Sequence, residues 1–158
     1  MEIKYLTQLK NNPSAYPMDV KYPQTIVPIP LSEIAQLEKL YNNNSPFPVA
    51  LKELLFLAGD YCYVLDTGTF DTQQEMQEYV RGKLISEDLL ISRPFFVIDV
   101  YNAPDQFLFV YLDEGDNPAV YEAIYYNETP NRIHHINDSL SGYIDALIER
   151  VKEGRNPF

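Results

Sequence analysis

Apolar residues recur along the chain with two different periods, and they are densest between Pro94 and Tyr126. That stretch reads as three runs rich in β-branched and aromatic residues, Phe95–Tyr101, Gln106–Leu112 and Ala119–Tyr126, cut by two short polar breaks. Runs of this kind favour strands, and breaks this short fit antiparallel turns, so the pattern predicts a meander. Taking Asn102 to Asp105 as a four-residue loop sets Tyr101 against Gln106. Counting outward places Val100 opposite Phe107, Ile98 opposite Phe109 and Phe96 opposite Tyr111 on one face. Val97 then falls opposite Val110, Phe95 opposite Leu112, and Asp99 beside Leu108 on the other. Both faces are largely apolar, which predicts inner strands covered at least partly on both sides.

The helical period is clearest at Leu140, Tyr143, Ile144, Leu147, Ile148 and Val151, capped by Asp138 or Ser139 and ended by Gly154. Three further helices are predicted. Ser32 caps one with Ile34, Leu37, Leu40 and Tyr41 on one side. Pro46 and Pro48 open the next, apolar nearly all round from Val49 to Leu57, with Gly59 as its stop. Thr72-x-x-Glu75 is a capping box before a stripe of Met76, Tyr79 and Val80. Tyr61–Leu65 reads as a strand and Arg132–Ile136 as a short edge strand, while Met1–Lys10 and Leu84–Ser92 fit either a strand or a helical turn. Five prolines between Asn11 and Pro30 forbid a regular helix and predict an extended arm anchored by Ile26, Val27 and Ile29. The expected fold is α+β, a mostly antiparallel sheet with a central meander and helices packed against it. The expected organisation is one domain over residues 1–158, with 1–30 as the proline-rich arm.

Composition narrows the classes. A chain of 158 residues buries about 70% of the surface it exposes when unfolded. It can therefore form a core without disulfides, and its single cysteine, Cys62, allows no intramolecular one. No apolar run approaches the roughly 18 residues of a membrane span. Met1-Glu2-Ile3-Lys4 lacks the layout of a signal peptide, so the expected location is cytoplasmic. With 23 Asp and Glu against 12 Lys and Arg, the net charge is -11. Such a surface repels nucleic acid and anionic membranes, and suits a cationic protein partner or plain solubility.

Catalytic equipment is sparse. His134 and His135 are the only histidines, and as neighbours on a strand they point to opposite faces. Cys62 lies between Tyr61 and Tyr63 without a nucleophile elbow, so a buried thiol is expected. Asp113-Glu114-Gly115-Asp116-Asn117 lacks the register of a calcium loop and reads as a solvated turn. No cofactor and no metal are expected. The acids in turns beside the predicted strands, Asp60, Asp66, Asp113, Glu114 and Asp116, are instead expected to gather at one sheet end and steer a basic partner.

The order of the pieces carries a resemblance. Ile34-x-x-Leu37-Glu38-x-Leu40-Tyr41 is followed by Phe47-Pro48 and by Leu51-Lys52-Glu53-Leu54-Leu55, ending near Gly59. Phe107-Leu108-Phe109-Val110-Tyr111-Leu112-Asp113 and Asn117-Pro118-Ala119-Val120-Tyr121 come later, and an amphipathic helix closes the chain. From Leu31 to Val151 this resembles the SUKH superfamily of bacterial toxin-immunity proteins and fungal cell-wall assembly regulators. Phe47-Pro48-Val49-Ala50 stands where members often carry Leu-Pro and an acid, and there is no tryptophan. The resemblance implies helices against an antiparallel sheet and a non-enzymatic role, usually binding and neutralising a toxin. An intracellular regulatory or scaffold adaptor of the same fold is the alternative, and a small carboxylate-dependent enzyme is a further one.

Overall fold

The computed structural model describes residues 1–15, 25–68, 70–100, 105–126 and 131–157. Four strands, β1 (Phe95–Asp99), β2 (Gln106–Tyr111), β3 (Val120–Ile124) and β4 (Ile133–Asn137), form one antiparallel sheet in the order β1-β2-β3-β4. The expected meander and edge strand are both present. Five helices accompany them: α1 (Thr7–Asn11), α2 (Leu31–Tyr41), α3 (Val49–Ala58), α4 (Gln73–Ser86) and α5 (Leu140–Lys152). The fold is α+β and closes with α5.

The sheet separates two cores. On one face Phe96, Ile98, Leu108, Val110, Leu112 and Val120 pack with buried residues of α1, α2, α3 and α5. On the other, Met76, Val80 and Leu84 of α4 cover Phe95, Val97, Val100, Phe107 and Phe109. A two-sided cover explains why β1 and β2 carry unbroken apolar runs. The capping predictions hold for the last two helices: Thr72 Oγ1 accepts from Glu75 N at 3.1 Å, and Ser139 Oγ accepts from Gly142 N at 3.1 Å.

The strand register departs from the expected one by a single residue. Asp99 does pair with Leu108, but Phe95 pairs with Tyr111, Phe96 with Val110 and Val97 with Phe109. A β-bulge between Val97 and Asp99 takes up the difference. A one-residue slip exchanges faces, so Phe96 and Ile98 share a core with Val110 and Leu112 rather than with Phe109 and Tyr111. With both faces apolar, the pattern holds no signal that would reveal the slip. Tyr101 and all but Asp105 of the expected hairpin loop, Asn102 to Asp105, lie outside the described residues, as do Pro17 and Pro23 of the arm.

Other expectations need correction. Ser32 is not a cap: α2 begins at Leu31, and the carbonyl of Pro30, in extended backbone, accepts from Glu33 N and Ile34 N. Tyr61–Leu65 is not a strand. Tyr61 makes one bridge to Val27, then the chain turns so that Leu65 N donates to Cys62 O, with Cys62 to Leu65 all buried. A buried apolar turn looks like a buried strand when only residue types are seen. Gly59 ends α3 in right-handed backbone, φ -72°. What requires glycine there is space, because a Cβ would meet Ile29 Cγ1 at 2.7 Å and the Leu55 carbonyl at 2.5 Å.

Two fully buried polar side chains organise the periphery. The Glu53 carboxylate on α3 accepts from Lys4 N at 2.6 Å, Tyr5 N at 2.8 Å and Leu6 N at 2.8 Å. It thereby pins the segment that leads into α1, whose N-terminus has no side-chain cap. Gln77 on α4 accepts from Val97 N at 3.0 Å and donates to Val97 O at 2.8 Å. Arg81 donates to Phe95 O at 2.9 Å. Side chains of α4 thus occupy the outer backbone edge of β1, where a further strand would otherwise add.

Candidate partner-binding surface

The five acids expected to act together occupy two separate regions. Val100 N, just past β1, donates to Asp66 O, which puts Asp66 at the C-terminal end of that strand. Asp113 follows Leu112, whose N–H donates to Pro94 O, so Asp113 lies at the opposite end. The expectation of one acidic sheet end is therefore corrected. Six residues of extended chain separate the two groups, about 20 Å.

At the Asp113 end the charges are compensated. Arg93 donates to both oxygens of Asp113, at 2.6 and 3.2 Å, and lies 3.0 Å from Glu114 Oε1. This bidentate bond holds the Asp113 carboxyl below its usual range and raises the Arg93 guanidinium. Arg93 also stacks on Tyr111 at 3.8 Å, and Tyr121 Oη donates to Glu114 Oε1 at 3.0 Å. Asp116 has Lys4 Nζ at 3.9 Å, both side chains well exposed. The turn also has structural work. Asp116 O accepts from Ala50 N at 2.8 Å, Pro118 O from Leu140 N at 2.7 Å and Asn117 Oδ1 from Ser141 N at 3.1 Å. It therefore supplies acceptors to the first turns of α3 and α5.

At the other end the charge is open. Asp60, just beyond Gly59, lines a cleft of about 150 Å³ with Glu33 from α2 and Asp71 from the approach to α4. Thr67, Thr72, Gln73 and Phe70 complete much of the wall, and no described lysine or arginine lines it. Gln73 Nε2 donates to Gly59 O at 2.7 Å and fixes the α4 side against the end of α3. No described cation pairs with the Glu33, Asp60 or Asp71 carboxylates. The α4 N-terminus opens here too, and its dipole is answered locally by Thr72 and by Glu75, which accepts from Asp71 N at 3.0 Å. A shallower hollow between α2 and the start of α4 adjoins the cleft through Glu33 and Thr72. Asp66 is not part of this wall; its carboxylate accepts from Gly68 N at 2.7 Å in a local turn. Neither Glu33 nor Asp71 is among the acids singled out from the sequence, because the approach of α2 to α4 is a tertiary fact.

The remaining chemistry-bearing residues have structural settings. His135 sits 3.3 Å from Asp138 on the exposed edge strand β4. No three described His, Cys, Asp or Glu side chains are grouped so as to hold a metal ion. No described helix is long and apolar enough to cross a membrane. Cys62 is buried beside Asp99, and burial pushes its thiol up to about 12. Unfolded cysteine ionises near pH 8.5. Between about pH 9 and 12 the folded state therefore keeps a proton the unfolded state has lost, and stability falls as pH rises. Native protein at pH 8 is expected to resist a thiol-labelling reagent and to react only as it opens. Prompt stoichiometric labelling of the folded protein would contradict the buried neutral thiol.

No family model, curated protein or solved structure matches the chain.

Proposed function

We propose that the chain is a protein-binding module of the SUKH kind. On this reading it is a cytoplasmic immunity protein that binds and neutralises a cationic, nuclease-type bacterial toxin. The observation that carries the reading is the uncompensated cleft of Glu33, Asp60 and Asp71. The net charge of -11 supplies a long-range field for a basic partner, and in this cleft three carboxylates share a wall with no described cation. Its volume of about 150 Å³ suits one inserted lysine or arginine side chain better than a whole small ligand, whose pockets run to about 300–1,000 Å³. Asp113, Glu114 and Asp116 take the second place in encounter, since Arg93 and Lys4 offset two of their three charges. Asp66 adds to the field from beside the cleft.

The test begins with the product of the neighbouring reading frame. Co-expression of the two chains should yield a co-purifying complex and relieve that product's toxicity, and Glu33→Gln/Asp60→Asn/Asp71→Asn should lose the protection. A regulatory adaptor of the same fold would bind a host protein and give no protection. The enzyme reading rests on the same cleft, because carboxylates that share a wall could divide acid and base roles. It predicts turnover of a small substrate that Asp60→Asn abolishes, while protein binding persists.

A further inference from the structure

The sheet has two outer edges, and described side chains close only one of them. On β1 the outward backbone groups are taken: Gln77 binds Val97 N and Val97 O, and Arg81 binds Phe95 O. On the other edge β4 pairs with β3 alone. Ile133–Asn137 contains no proline and no lysine, residues that commonly blunt an open edge.

The register tells which groups of β4 are open. Antiparallel partners alternate between pairs that exchange hydrogen bonds and pairs that do not. Ile124 N donates to Arg132 O at 3.0 Å. Glu122 and His134 are therefore a bonded pair, while Ala123 with Ile133 and Tyr121 with His135 are not. The N–H and C=O of Ile133 and of His135 thus point away from β3, and no described backbone group bonds to any of the four. A bulge at Ile136 ends this regular stretch. Two donors and two acceptors in this alternation are matched by another extended chain, which adds as a strand.

Charge selects which chain. Asp138, directly past the strand, has a fully exposed side chain, and its described partner is His135 at 3.3 Å, a cation only when protonated. Arg132, at the other end, is turned inward to Glu87 O and Tyr125 O. A second copy, at net charge -11, would bring the same surplus of acids to the edge. We propose that β4 receives an extended segment of a basic protein partner as a fifth strand, held by backbone hydrogen bonds at Ile133 and His135, with a lysine or arginine of that segment reaching Asp138. The inference rests on the basic-partner reading and adds to it a contact of known geometry, separate from the acidic cleft.

Amide hydrogen exchange by NMR on the intact protein is the test, with two capped octapeptides as probes, one alternating lysine and valine, the other glutamate and valine. In the free protein the His134 amide should be protected and those of Ile133 and His135 should exchange freely. The lysine peptide should slow both, with a Kd of about 1 mM or tighter, and the glutamate peptide should bind at least about tenfold more weakly. Asp138→Lys, at an exposed side chain, should reverse that preference. His135→Pro removes one open donor, which an edge strand tolerates, and should abolish binding of the lysine peptide with the unfolding midpoint kept. Free exchange at Ile133 and His135 with the lysine peptide at about ten times that concentration overturns the proposal. So does equal binding of the two peptides, or protection of these amides by raised protein concentration alone, which would assign the edge to a second copy. No toxin enters the measurement, so its failure leaves the immunity reading to the co-expression test, and failure there leaves this result standing.

Discussion

Replacing Glu53 by alanine is expected to lower the free energy of unfolding by about 3–5 kcal/mol, because three backbone N–H groups lose their charged acceptor together. The carboxylate is fully buried and binds three consecutive backbone N–H groups, those of Lys4, Tyr5 and Leu6. Hydrogen bonds to charged groups contribute about 1.5–3 kcal/mol each, and an orphaned buried donor costs about 1–3 kcal/mol. Water can reach Lys4 and Tyr5 once the segment loosens, which keeps the total below a simple sum. The loss should spread, because Leu6 and Leu9 are fully buried in the core that α3 and α5 share. Glu53→Gln keeps an acceptor but presents an amide to three donors, so an intermediate cost is expected. Denaturant unfolding gives the magnitude, and hydrogen exchange at Lys4, Tyr5 and Leu6 localises it. An unchanged midpoint with protected amides would show that α1 does not depend on this carboxylate.

Gln77→Leu is expected to cost about 2–6 kcal/mol, from two buried backbone groups left without partners at about 1–3 kcal/mol each. Leucine matches the volume but satisfies neither Val97 N nor Val97 O. The same change should alter association. β1 is the first strand of the sheet, and α4 closes its outer edge through Gln77 and Arg81. Opening that edge exposes a strand of Phe, Val and Ile to pairing with other chains. Refolding of Gln77→Leu at rising concentration should give more light scattering than wild type. A variant with wild-type stability and no excess scattering would remove Gln77 from this role.

The sequence was most legible where one physical signal dominates. The i, i+3, i+4 stripe of α5 predicted its buried face, and Leu140, Ile144, Leu147, Ile148 and Val151 are all buried. The Thr72 and Ser139 caps were equally plain, since a cap is a local bond between neighbours in the chain. Legibility failed where distance along the chain decides. Glu53 reads as one acid in an apolar helix until residues 4–6 are brought to it, and Gln77 as a helix surface until β1 lies beneath. The bulge at Ile98 escaped because both faces of β1 are apolar, so either register satisfies the pattern. The acids divided the same way: all lie in or beside turns as read, but Arg93 reaches Asp113 from 20 residues away and cancels much of its charge. Glu33 and Asp71 join Asp60 only because α2 and α4 meet beside Gly59.

The acidic cleft as a docking point for a basic partner is tested most directly by association rate. Stopped-flow or surface-capture kinetics with the purified partner, at low and high salt, should compare three proteins: wild type, Glu33→Gln/Asp60→Asn/Asp71→Asn, and Asp113→Asn/Glu114→Gln/Asp116→Asn. Both variants remove three charges, so a pure net-charge effect would slow them equally. The predicted result is a loss of about tenfold or more at low salt for the cleft variant, largely erased at high salt, and a smaller loss for the turn variant. Association of the cleft variant as fast as wild type at low salt would contradict the account.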